Sequence, residues 1–340
     1  MSNTSTLSNE KAKTGSRWVI VLAGGEGRRL RSLIRDWLGE TRPKQYCTFM
    51  GTRSMLQHTL DRARKLVKDE HIVTVVGSGH RSFLKRSLSA PLPGTLVEQP
   101  IDRGTAAGIY LAASHIFERD PLATILVMPS DSYISPEERF QQYAEHAMLM
   151  AEKYDDQLFQ LGVTPKGPET DFGWIESARS KRRIASTRLP GEALTVSMFY
   201  EKPNMSKANA LYEKGCLWNT GIFAAKVKTL WWFGWCSIPD MMRRFETFSQ
   251  VYPAAQQINS SRVHEAIVLT HLYHGMSYAD FMRDVLAKVS EWSAVIRMDN
   301  VEWSDWGRPE RIKQTIENCG ANSSFLEFYD RTQAANWVAI

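Results

Sequence analysis

The sequence predicts an α/β protein built on a doubly wound, mostly parallel sheet with helices on both faces. Three observations carry that reading. Short apolar runs rich in β-branched residues alternate with amphipathic stretches through the first half of the chain, the pattern of strands joined by crossover helices. The first run, Trp18 to Ala23, passes directly into Gly24, Gly25 and Gly27, a strand-to-helix turn of the kind found at the edge of such sheets. The 340 residues are 43% hydrophobic, enough to bury the core of one large domain or two ordinary ones.

The elements follow in order. After the glycines a helix is expected from Leu30 to Leu38, ending near Gly39, and another from Ser54 to Val67. His71 to Gly77 reads as a buried strand, Phe83 to Leu88 as a short helix, and Thr95 to Pro100 as a strand stopped by its proline. Small residues from Gly104 to Gly108 open a helix that runs to about Phe117. They suit either a flat ligand lying on the backbone or close helix–sheet packing. Thr124 to Asp131 is the next strand, and Pro136-Glu137-Glu138 begins a helix. From Leu158 the character changes. Strands at 158–163, 172–176, 197–203 and 218–223 carry polar tips on apolar bodies, which suits a sugar site. A helix from Ser206 to Gly215 lies among them. Leu230 to Trp235 reads as helix core, and His264, His271 and His274 as structural residues of one helix. A last strand, Ser293 to Met298, leads to Asp305, and a helix starts at Glu310.

The chemistry is concentrated at strand ends. Glycines that free backbone N–H groups before a helix make an anion site, and Arg28 and Arg29 suit a ligand as charged as a nucleoside triphosphate. The stretch lacks both the P-loop pattern and the third glycine of the dinucleotide fingerprint; an ordinary turn with solvated arginines also fits it. Lys44, held extended by Pro43, is a further phosphate cation or a solvated lysine. Asp131 closes a strand where Mg²⁺ is commonly held by one or two carboxylates with substrate phosphates, or else caps the following helix. Asp305 either caps its own turn or meets Asp131.

The bulk properties narrow the classes. The net charge is +5, but 42 basic and 37 acidic residues are interspersed, without the basic stripe of a nucleic-acid binder. No apolar run approaches the roughly 18 residues of a membrane span, and the polar start lacks the apolar core of a signal peptide. The four cysteines are far apart, as free thiols of a reducing cytoplasm would be. A disordered tail is expected over residues 1–16.

Taken together, the blocks resemble the sugar-1-phosphate nucleotidyltransferases, and within them the mannose-1-phosphate guanylyltransferases. Leu22-Ala23-Gly24-Gly25-Glu26-Gly27-Arg28-Arg29-Leu30 is similar to the signature L-A-G-G-x-G-T-R-L, and Arg42-Pro43-Lys44-Gln45 matches R-P-K-Q. Glu98-Gln99-Pro100 with Arg103-Gly104-Thr105-Ala106 resembles E-P…R-N-T-A. Pro129-Ser130-Asp131, Phe172 to Glu176, Glu201-Lys202-Pro203, Trp218 to Phe223 and Trp303 to Gly307 match the later blocks.

The resemblance implies a Rossmann-like nucleotidyltransferase domain over 17–315, with a nucleotide-binding half (17–157) and a sugar-phosphate half (158–315). A short helical extension over 316–340 would follow, with no room for the β-helix or isomerase domain that relatives commonly carry. It implies GTP and α-D-mannose 1-phosphate as substrates, GDP-mannose and diphosphate as products, and Mg²⁺ as cofactor. Another nucleotide and hexose phosphate, or a non-catalytic sugar-nucleotide regulator, are the alternatives. Arg29, Lys44, Asp131 and Lys202 would be catalytic, and Asp131 and Asp305 would hold the metal. Leu22, Ala23, Gly24, Gly25, Gly27, Arg28, Glu98, Arg103 and Thr105 would bind the nucleotide, and Gly173, Glu201 and Asn219 the hexose. Small molecules would be the partners, and a homodimer is left open. Two departures stand out: Arg28 replaces the loop threonine and Gly104 the asparagine of R-N-T-A.

Overall fold

The computed structural model describes residues 15–88, 90–178, 191–247 and 262–338. Most of the tail expected over 1–16 lies outside them; Ser16 already receives a backbone hydrogen bond from Thr124, beside the first strand.

A nine-stranded sheet forms the centre, in the order β3-β2-β1-β4-β9-β6-β10-β8-β7. Its strands are β1 (Arg17–Ala23), β2 (Ile72–Gly77), β3 (Thr95–Gln99), β4 (Thr124–Pro129), β6 (Leu158–Val163), β7 (Gly173–Ser177), β8 (Ala193–Glu201), β9 (Leu217–Lys226) and β10 (Ser293–Arg297). Two short strands missed by the sequence reading, β5 (Tyr133–Ser135) and β11 (Glu302–Ser304), pair antiparallel in a separate ribbon. The four strands β3-β2-β1-β4 are parallel, as their continuous apolar runs require. Beyond β4 the sheet is mixed: β9 runs antiparallel to both neighbours, and β6 with β10 is the one parallel pair. The mostly parallel expectation therefore holds for the first half only. The two expected halves share one sheet, because β9, from the second, sits between β4 and β6.

Helices cover both faces. One core packs Trp18 and Ile20 of β1 under α4 (Thr105–Arg119) and α7 (Val227–Ser237). The other packs Val19, Val21 and Ala23 under α2 (Met55–Leu66) and α5 (Glu137–Lys153). This alternation is the two-residue period of a strand covered on both sides. The Ser54 hydroxyl and the Gln57 amide form a capping box that starts α2. The short helices α1 (Arg31–Leu38), α3 (Arg81–Ser87) and α6 (Met205–Glu213) also lie close to their predicted spans. In α7 only part of the aromatic run is core: Leu230 and Phe233 are buried, whereas Trp232 is 46% exposed.

The expected boundary at 315/316 falls inside a helix, Pro309–Cys319, followed by Ser324–Val338. Phe325 of that last helix is fully buried and packs with Trp37 and Phe49 in a third core, so the C-terminal residues are tied to α1. No described helix is long and apolar enough to cross a membrane.

The topology places the site. The chain moves from β1 outward through β2 and β3, then returns to β4 on the other side of β1. The carboxyl ends of β1 and β4 therefore flank the point where strand order reverses, and a crevice opens there. The glycine loop follows β1 and Asp131 follows β4.

Candidate active site

The glycine loop is held from beneath by the segment after Pro43. Lys44, Gln45 and Tyr46 form one tight turn, and all three are buried. The Gln45 amide donates to the carbonyls of Ala23 and Gly25, both at 2.8 Å. The Tyr46 hydroxyl lies 3.4 Å from the same Ala23 oxygen, and His80 Nδ1 3.3 Å from it. These donors hold the Ala23 and Gly25 carbonyls, while Gly24, Gly25 and Gly27 line the crevice. Gly27 has φ +61 and a Cβ there would lie 3.1 Å from the Lys44 nitrogen, so this position is restricted to glycine by conformation and by space. The cleft above holds about 320 Å³ and is lined by Leu22, Gly24, Gly25, Gly27 and Asp131, among others.

The pairing of β5 with β11 brings the chain segments of the two expected metal ligands together. Tyr133 pairs with Ser304, so Asp131, two residues before, and Asp305, one residue after, lie at the same end of the ribbon. Lys44, 5% exposed, lies between them. Its Nζ is 3.2 Å from Asp131 Oδ2 and also donates to the Asp305 carbonyl. The helix α5 starts after Pro136 without a side-chain cap, so Asp131 is not its cap. Asp305 does cap its own turn: Oδ1 accepts from Gly307 N at 2.9 Å. The same Oδ1 accepts from Arg311 at 2.8 Å. Arg311 also reaches Glu169 and Asp171 and lies over the Phe172 ring. Asp305 Oδ2 faces Arg29 at 3.4 Å.

Mg²⁺ takes hard oxygen ligands and completes its shell with water and phosphate; Asp131 offers such a donor to the cleft, whereas the Asp305 carboxylate is turned to Gly307, Arg311 and Arg29. No group of three or more ligating side chains occurs among the described residues, so a metal here would depend on the substrate phosphates.

A second cleft, of about 670 Å³, lies beside the first and is lined by Glu201, Lys202, Lys207, Asp280 and Arg283. Tyr278 lines both clefts. Lys202 has φ +44, an unusual backbone for lysine; its nitrogen donates to the Phe172 carbonyl and its ammonium pairs with Glu201 at 3.0 Å. Gly173 is paired with Glu201 across the strands, and a Cβ there would meet the Phe199 ring at 2.8 Å and Glu201 Oε2 at 3.0 Å. Its contribution is room for the carboxylate. Burial raises the Glu201 pKa, and the neighbouring Lys202 only partly offsets it. Glu201 thus takes up its proton above the usual carboxylate range as pH falls, losing the charge that accepts hydroxyl protons. The folded state favours the protonated acid, so this group opposes folding as pH rises through its raised pKa, the reverse of a paired carboxylate. Under the sugar-phosphate reading below, KM for the sugar phosphate should climb on the acid side in wild type, and Glu201→Gln should flatten that limb; an identical limb in both proteins would remove Glu201 from it.

The family model for nucleotidyl transferases matches residues 18–319. The chain belongs to the nucleotidyl transferase family. It is 31% identical to mannose-1-phosphate guanylyltransferase of Escherichia coli K12 over 296 residues, covering 85% of this chain and 57% of that one. It is 32% identical to the Salmonella montevideo enzyme of the same name over 207 residues, covering 60% and 42%. The chain thus spans about half the length of the curated relatives it matches. The solved structure of mannose-1-phosphate geranyltransferase from Thermus thermophilus superposes with a TM-score of 0.69 at 23% identity, covering 87% of this chain and 78% of that one; it shares the fold.

In this nucleotidyl transferase the structure gathers most expected residues and turns some elsewhere. Leu22, Gly24, Gly25, Gly27, Thr105 and Asp131 line the first cleft, and Glu201 and Lys202 the second. Glu98, expected near the base, faces away: it pairs with Arg81 on the outer side of β3, while Gln99 lines the cleft. Strand alternation, with Val97 and Gln99 on the buried side, carried that signal. Arg103 is spent on the carbonyls of Tyr273 and His274, and the Thr105 hydroxyl engages Asp280 and the Phe281 nitrogen. Both therefore pin the wall between the clefts. Asn219, 8% exposed, receives the Gly221 N–H and directs its amide at the Met282 sulfur. Arg28, 73% exposed, pairs with Glu26, and Arg29 lies near Asp305 and Asp171. His271 and His274 are exposed; the His264 side chain lies outside the described residues. Sequence reasoning missed Asp171, Arg311, Asp102 and Tyr278, which belong to no local pattern.

Proposed function

We propose that the chain transfers a guanylyl group from GTP to α-D-mannose 1-phosphate, giving GDP-mannose and diphosphate. The observation that carries this reading is the junction of the two clefts. One is floored by a glycine loop, the other holds Lys202 and Glu201, and the buried Lys44 ammonium stands with Asp131 and Asp305 beside the glycine loop. A donor nucleotide and an acceptor phosphate would be brought together by that arrangement. The relatives named above support GTP and mannose 1-phosphate as the pair.

The chemistry is an in-line displacement. A phosphate oxygen of the sugar phosphate forms a bond to the α-phosphorus, the bond from that phosphorus to the bridging oxygen breaks, and diphosphate leaves with the electron pair. No covalent intermediate with the protein is required; positioning and charge neutralisation supply the rate. The glycine loop offers backbone donors to the nucleotide phosphates. Lys44 and Arg29 offset charge on the leaving diphosphate, Arg29 by leaving its loose contact with Asp305. Lys202 holds the acceptor phosphate, and Glu201 and the Asn219 region orient the hexose. Mg²⁺ held by Asp131 and Asp305 would lower the repulsion between the two phosphates.

Diphosphate release, measured with four NTPs and dTTP against mannose 1-phosphate and glucose 1-phosphate, tests the assignment. Turnover mainly with GTP and mannose 1-phosphate is expected; preference for another pair would move the specificity. Asp131→Ala at saturating Mg²⁺ should abolish turnover with the circular dichroism spectrum unchanged, and wild-type rates in that variant would sink its role.

A further inference from the structure

The first cleft is lined by the glycine loop and Asp131, and also by Gln99, Asp102, Gly104, Thr105 and Tyr278. With the phosphates on the backbone donors of the glycine loop, the base must be read by the other lining residues, and the polar side chains among them are few. Gln99 is 9% exposed and wedged between Gly24 and Gly108, where an added Cβ would lie 2.9 and 3.0 Å from its Nε2. Its Oε1 receives the Tyr273 hydroxyl. The Thr105 hydroxyl is engaged on both sides. Gly104 can carry no side chain at all: its φ is +86, and a Cβ would fall 2.2 Å from the Ala279 carbonyl oxygen. The asparagine of the R-N-T-A block is therefore excluded here by the backbone of the opposing wall.

Asp102 remains. Its Oδ1 accepts from Gly104 N at 2.9 Å, which fixes the carboxylate's orientation. Its Oδ2 makes no hydrogen bond or ion pair among the described residues. Asp102 and Asp131 are the two carboxylates lining this cleft. Tyr278, 58% exposed, supplies apolar surface beside it.

We infer that Asp102 selects the base, accepting the adjacent N1–H and N2–H of guanine. The inference rests on the nucleotidyl-transfer reading above and adds the residue that discriminates. A carboxylate is an acceptor only. Guanine is the common base with two donors side by side on its pairing edge. Uracil and thymine flank one N–H with carbonyls that would oppose the carboxylate, and adenine and cytosine place a ring acceptor beside their amine. A site built to receive a donor rejects the analogue that lacks it. Inosine triphosphate lacks only the N2 amine, so it isolates this contact.

The experiment compares kcat/KM for GTP and ITP with mannose 1-phosphate, in wild type and in Asp102→Asn. Asparagine keeps an oxygen for the Gly104 N–H but places an amide donor against the base. Wild type should prefer GTP by on the order of tenfold or more, the loss expected for a hydrogen bond to a charged group. Asp102→Asn should bring the ratio close to one. An unchanged ratio in the variant overturns the inference, as does a wild type that uses GTP and ITP equally, a result that needs no variant. Wild-type turnover with a pyrimidine or adenine nucleotide instead would show that the substrate reading had failed, a distinct outcome that removes this inference with it.

Discussion

Replacing Lys44 by methionine should lower kcat by roughly 10²–10³-fold, the range found when one preorganised donor to developing charge is removed. Methionine keeps the length and apolar stem of lysine, so the buried turn from Lys44 to Tyr46 retains its packing. What is lost is an ammonium that lies within 3.2 Å of Asp131 and also donates to the Asp305 carbonyl. Without it Asp131 loses this cation and, under the proposed reaction, the leaving diphosphate has one less donor. The damage should appear in kcat more than in the KM of the sugar phosphate, because Lys202 and Glu201 lie in the neighbouring cleft. Steady-state kinetics with diphosphate release as the readout would decide it; a loss confined to KM would make Lys44 a binding group only. Combining Lys44→Met with Asp131→Asn should cost less than the sum of the two, since the groups touch.

Gly104→Ala should be the most damaging small substitution for stability, lowering the unfolding free energy by about 3 kcal/mol or more as positive-φ strain and overpacking combine. The added methyl would lie 2.2 Å from the Ala279 oxygen and 2.8 Å from its carbon, both backbone atoms that cannot swing aside. The wall it strikes is held by Ala279 N to the Arg103 carbonyl and Ala106 N to the Ala279 carbonyl, so relief requires breaking that pair. Because the same wall carries Tyr278 between the clefts, substrate affinity should fall with stability. Urea denaturation of the variant, with the slope compared to wild type, measures the first; an unchanged midpoint would show that the wall yields freely.

Local sequence carried the parts of this protein that local physics decides. Apolar runs of β-branched residues gave β1, β2 and β4, because a strand buried on both faces must be apolar throughout. Gly24, Gly25 and Gly27 marked the loop, since few other residues could sit against Gln99 or adopt the φ of Gly27. Asp131 at the end of β4 was visible as a lone carboxylate on an apolar strand. Only the tertiary structure decided the rest. The ribbon β5–β11 is three residues on each side, too short for any periodicity, yet its register brings the segments of Asp131 and Asp305 to one end. The placing of β9 between β4 and β6 follows from pairing partners far apart in sequence. Lys44 looks like any loop lysine until the glycine loop folds over it. Arg311 and Asp171 are ordinary surface charges by sequence, and acquire meaning when helix Pro309–Cys319 packs Arg311 against Phe172 and Asp305. Hydrophobic period and backbone constraint act between near neighbours and can be read in order. The balance of charges in a site depends on which distant segments meet, and that is fixed only when the sheet is assembled.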